Sequence, residues 1–165
     1  MPSSSATRRA SWASSTLQQP RAPLRSVAGD VESLLRERMA LARAHGVADE
    51  QIVLDPGPDF AKTPQQTVAV LRDIGRLRAL GRPLLLAISR KYFLGAITGR
   101  PPAQRLAGTL AAAAWAADAG AAILRVHDVA AVRDALAVKA VLEGRAEVPA
   151  FDAGAEELKW IRSDR

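Results

Sequence analysis

The chain has 165 residues, 48% of them hydrophobic, which suffices for one ordinary domain with a core. Aromatics are only 4% and cysteine is absent, so the core must be Leu, Val, Ile and Ala, and disulfide scaffolds and thiolate metal sites are excluded. No apolar run reaches the ~18 to 20 residues that span a bilayer, and the net charge of +6 is uneven. Residues 1–28 carry Arg8, Arg9, Arg21 and Arg25 without an acid, leaving the remainder near balance at about +2. No basic face interleaved with aromatics is visible, which argues against a nucleic-acid partner.

The segment 1–28 is rich in Ser and Arg and lacks acids. That composition suits an organellar transit peptide. Without a clear amphipathic helix, a disordered leader or sequence not native to the domain is the simpler reading, and the expected location is the cytoplasm. From Asp30 the pattern becomes regular. "DVESLLRERMALARAHG" places Val31, Leu34, Leu35, Met39 and Ala42 on one helical face, with Asp30 as N-cap and Gly46 in the left-handed position after the last turn. His45, in that last turn, reads as a surface residue near the negative end of the helix dipole.

"QIVLD" (51–55) predicts a short buried strand. "TPQQTVAVLRDIGRLRALG" predicts a second helix, with Thr63 capping, Pro64 at the first position, Gln66 completing a capping box and Gly81 closing it. "PLLLAIS" (83–89) is a second strand. A third helix closes at Gly120, "AAILRVH" (121–127) is a third strand, and a fourth helix closes at Gly144. From Arg145 the tail is irregular until "AEELKWIR", which reads as one short helix. Strands alternating with helices predict an α/β fold with a parallel sheet. Continuous apolar strands predict burial on both faces, and ligands in such folds bind beyond the carboxyl ends of the strands.

Each strand ends in polar groups: "DPGPDFAKT", "SRKYFLG" and "RVHDV". Arg125 and His127 are two apart and share a face of their strand, with Leu124 and Val126 pointing into packing. A guanidinium and an imidazole at a strand mouth suit an anion such as phosphate. The alternative is structural, with Arg125 paired to a nearby Asp and His127 bonded to a loop carbonyl. Asp55, before Pro56 and Gly57, is either a turn former or an acceptor for two N–H donors of a heterocycle. Lys91 is either a solvated surface lysine or part of the same site.

"IVLDPGPDFAKT", "LLLAISRKYFLG", "RLAGTLAAAAWAADAGA" and "ILRVHDV" together resemble dihydropteroate synthase, in the same order and at similar spacing, over about Gly29 to Gly144. The resemblance implies a partial (β/α)8 TIM barrel, its last three parallel strands with four helices. It implies a transferase of folate biosynthesis. That family joins a 4-aminobenzoate amine to a pterin methylene carbon and expels magnesium-bound pyrophosphate. Carried over, Asp55 and Lys91 bind the pterin, Arg125 and His127 hold the pyrophosphate, and Phe60, Ser89 and Arg90 shape the aminobenzoate site. The resemblance implies Mg2+, whose ligand is not in this chain, and small-molecule pterin and arylamine partners.

The chain departs from the family pattern at Tyr92, where the family commonly has a serine that binds the benzoate carboxylate. It departs again at Asp59 and Ala61, which replace two loop glycines. Both changes fall on the aminobenzoate site and suggest a divergent paralogue. No sequence before Gly29 supplies the family's first strands, metal ligand or flexible loop. The expectation is therefore an incomplete barrel with exposed strand edges, inactive by itself, and self-associated or completed by another chain. The alternative is a non-catalytic pterin- or phosphate-binding relative that partners a complete synthase.

Overall fold

The computed structural model describes residues 27–148 and 150. Most of the leader, 1–26, and the short helix expected within 155–162 lie outside them. The first helix, α1 (Val27–Ala44), begins three residues before Asp30, which therefore sits in the first turn and is not the N-cap. Its carboxylate there still favours the positive end of the helix dipole. Val31 and Met39 are buried and Leu35 and Ala42 partly so, but Leu34 is 49% exposed and lies off the packed face. Gly46 takes φ +84, and His45 Nδ1 lies 2.9 Å from the Leu41 carbonyl at the surface.

The capping box at 63–66 forms as its residues dictate: Thr63 Oγ1 accepts from the Gln66 amide at 3.2 Å, and Gln66 Oε1 accepts from the Thr63 amide at 2.8 Å. The helix it starts is broken at Asp73 into α2 (Pro64–Arg72) and α3 (Ile74–Arg78). A further helix, α4 (Tyr92–Thr98), follows directly on "SRK", in a stretch for which the sequence pattern predicts no element. Then come α5 (Leu106–Asp118) and α6 (Val129–Leu142). Among the described residues six α-helices thus stand where four were expected: one breaks in two, and a seven-residue helix is too short to show a clear period.

The strands are shorter than expected. β1 (Leu85–Leu86) pairs in parallel with β2 (Ile123–Leu124) in the register Leu85 to Ile123. The expected first strand contributes only a parallel bridge from Leu54 to Leu84. The fold is α/β with two parallel strands, a bridge alongside and helices α1 to α6. Burial on both faces holds for the central segment, where Leu84, Leu86 and Ile88 are almost fully enclosed. It fails at the borders, where Val53 and Ile123 are 45% and 42% exposed. The physical reason is that neither border segment has a second strand neighbour among the described residues. Helices α1, α2 and α3 pack on one another, and α5 packs on α6. No helix among the described residues is long and apolar enough to cross a membrane.

Candidate functional site

The carboxyl ends of the strand segments carry the polar residues, as parallel strands require. Ala87, Ser89, Lys91, Arg125, Val126 and His127 line one cleft of about 280 Å³. Ser89 is buried, and its Oγ accepts from the His127 backbone amide at 3.2 Å and lies 3.0 Å from His127 Nδ1. His127 is thus oriented by a strand-end hydroxyl and not by a loop carbonyl. Arg125 is exposed and has no ion pair among the described residues, and the Lys91 side chain has none either. The nearby carboxylate, Asp128, is taken by Arg90 in a two-pronged pair at 2.6 and 3.0 Å. The pairing of Arg125 with a nearby Asp is not seen among the described residues: Asp128 faces the other arginine. Hydrogen bonds from Arg90, its positive charge and that of His127 hold the Asp128 carboxyl below the usual carboxylate range.

The loop 55–62 is built differently. Asp55 Oδ1 accepts from the Gly57 amide at 2.8 Å, which makes it a turn former, and its side chain is on the surface. Its other oxygen has no hydrogen-bond partner among the described residues, so the second role is left open. Asp59 (φ +63) and Ala61 (φ +50) both sit in the left-handed region. The two glycines of the family pattern thus fall where a glycine is least strained. Asp59 spends its charge within the fold. Its carboxylate accepts from the Phe93 amide at 3.2 Å, in the first turn of α4, and from Thr67 Oγ1 at 3.1 Å. Lys62, which the sequence reading did not single out, donates to the Gly57 and Phe60 carbonyls, both at 3.1 Å. Partial burial lowers its pKa against the pull of Asp55 and Asp59. Phe60 projects from this loop with 79% of its surface exposed.

Of the seven residues singled out in the sequence, the fold brings Ser89, Lys91, Arg125 and His127 into one cleft. Arg90 stands beside it through Asp128, whereas Asp55 and Phe60 do not line it. Among the described residues no group of three or more His, Asp or Glu side chains is placed to hold a metal ion.

A family model described as "Pterin binding enzyme" matches residues 11–127. The chain belongs to that family. The match begins inside the segment set apart as a leader and ends at His127, short of α6. Among curated relatives, dihydropteroate synthase of Synechocystis sp. is 46% identical over 105 residues, 63% of this chain and 36% of the relative. "Inactive dihydropteroate synthase 2" of Mycobacterium tuberculosis is 41% identical over 119 residues, 70% of this chain and 37% of the relative. The solved dihydropteroate synthase from Xanthomonas albilineans, in complex with 7,8-dihydropteroate, superposes with a TM-score of 0.72 at 40% identity. That match covers 79% of this chain and 49% of the other. This pterin-binding family member thus spans between about a third and a half of the length of these relatives.

Proposed function

We propose that this chain carries the leaving-group side of a dihydropteroate synthase-like site. The cleft takes the pyrophosphate of a pterin methyl pyrophosphate, Asp55 accepts from the pterin's amino-pyrimidine edge, Lys91 donates to its ring, and the arylamine approaches past Phe60 and Arg90. The observation that carries the reading is the cleft itself. Lys91, Arg125 and His127 line it together, no carboxylate does, and neither Lys91 nor Arg125 is ion-paired among the described residues. Uncommitted cations converging on one cavity suit a multiply charged oxyanion. In the reaction the methylene C–O bond breaks, a C–N bond to the arylamine forms and the amine loses a proton. The carbon carries positive character and the departing pyrophosphate negative, so holding that charge in place is the main service these side chains can render.

Calorimetric titration with pyrophosphate tests this. Arg125→Ala and His127→Ala should each weaken binding by about tenfold or more, the loss expected for a charge-assisted hydrogen bond. Affinity for a free pterin should stay the same. Parental affinity for pyrophosphate in both variants would return the pair to a structural role. The chain by itself should give no turnover with pterin pyrophosphate, aminobenzoate and magnesium. A rate within about tenfold of a full-length synthase, or 1.4 kcal/mol of barrier, overturns that expectation.

A second reading, binding without turnover, has its own support. A relative named inactive matches over 70% of the chain, and Asp59 and Tyr92 alter the aminobenzoate side. A barrel restored to full length around these residues that binds pterin and pyrophosphate, yet forms no product with aminobenzoate, would decide for it.

A further inference from the structure

Lys91 enters the cleft from a backbone that needs outside support. The residue before it, Arg90, has φ +56, a left-handed conformation that a long side chain disfavours. Four hydrogen bonds from one place meet that turn or stiffen what meets it. The Arg90 amide donates to Thr109 Oγ1 at 3.0 Å. The carbonyls of Arg90 and Lys91 both accept from Nη1 of Arg105, at 2.9 and 3.1 Å. The Thr109 hydroxyl donates back to the Arg105 carbonyl at 2.8 Å. On its far side the guanidinium is anchored by Nε donating to the Arg100 carbonyl at 2.8 Å. Gly95, on the first turns of α4, makes room for it: a methyl group there would overlap the Arg105 guanidinium. Arg105 does not itself line the cleft.

We propose that Arg105 is a positioning residue for Lys91. By binding two successive carbonyls it holds the Arg90–Lys91 turn in its strained form and so keeps Lys91 in register with Arg125 and His127. The proposal rests on reading the cleft as an anion site, and it has a readout independent of that reading. Gly95→Ala displaces the guanidinium while keeping its charge, and the displaced group is a flexible side-chain end, so the fold can absorb the change. Arg105→Ala is the direct variant. In both, hydrogen exchange at the Arg90 amide, followed by NMR, should quicken about tenfold or more, with the Leu85 amide, bonded to the Leu54 carbonyl at 2.8 Å, unchanged. Calorimetric affinity for pyrophosphate should fall about fivefold or more in Gly95→Ala, the scale of a misplaced charged hydrogen bond. It should fall no further when Gly95→Ala is added to Lys91→Ala. Unchanged exchange at Arg90 in both variants overturns the proposal. So does a loosened turn with parental affinity, or an equal loss with and without Lys91. If the parent chain binds no pyrophosphate, the anion reading fails, and exchange at Arg90 alone then decides whether Arg105 holds the turn.

Discussion

Two neighbouring strand-end regions use their charges in opposite ways. In the loop 55–62, each ionic side chain is engaged within the fold: Asp55 with Gly57, Asp59 with Phe93 and Thr67, Lys62 with two carbonyls. At the mouth of β1 and β2, Arg90 and Asp128 satisfy each other, and Lys91 and Arg125 are left facing the cleft. A charge that closes a loop and a charge that awaits a ligand look alike in a sequence. They differ in whether a partner lies within hydrogen-bond reach once the chain has folded. The loop reads as a structural device with one open valence, at Asp55, and the mouth leaves Lys91 and Arg125 without an ion pair among the described residues, as the anion site we propose requires.

The sharpest way to break that contrast is at Asp55, where both roles meet. In a barrel restored to full length, Asp55→Ala should weaken a pterin analogue by at least ~2 kcal/mol, since heterocycle donors lose a charged acceptor. Asp55→Asn can keep the turn bond to Gly57 and should still lose most of that affinity. Calorimetry reads both. Parental affinity in the Asn variant would make Asp55 a turn former only.

A smaller effect is expected at Asp59. Asp59→Gly relieves left-handed backbone but strips the Phe93 amide and buried Thr67 of their acceptor. Hydrogen bonds to a charged group contribute about 1.5 to 3 kcal/mol and the backbone relief roughly 1. The variant should therefore be less stable by about 1 kcal/mol in chemical denaturation. A gain in stability would show that the latch contributes nothing. Ala61→Gly has no such latch to lose. It should gain ~0.5 kcal/mol, the strain relief of about 1 to 2 kcal/mol being partly cancelled by the greater freedom of glycine in the unfolded chain.

The Arg90–Asp128 pair provides the pH test. The folded Asp128 carboxyl titrates below its ordinary value, so its contribution is fully present above the unfolded carboxylate value of about 3.9. It is lost as pH falls from there through the depressed folded value. Asp128→Asn should lower stability at pH 7 and converge with the parent in strong acid. Parallel stability curves across that range would mean the pair contributes little, as exposed pairs often do.

Much of this molecule follows from short stretches of chain. The capping box at Thr63–Gln66, the left-handed glycines at positions 46, 81, 120 and 144, and the parallel order of the strand segments each depend on residues a few positions apart, or on a period that a helix or strand imposes. The residues at the strand mouths were legible for the same reason, because parallel strands deliver their carboxyl ends to one side. What the local pattern left open is who meets whom. That Asp128 goes to Arg90 and not Arg125, that Ser89 turns to His127, and that Arg105 reaches the Lys91 carbonyl are contacts across 14 to 38 positions. Such choices depend on how helices α4, α5 and α6 pack around the strand ends. Burial of β2 is of the same kind: an apolar stretch can ask for cover on both faces, but only a neighbouring strand or helix supplies it.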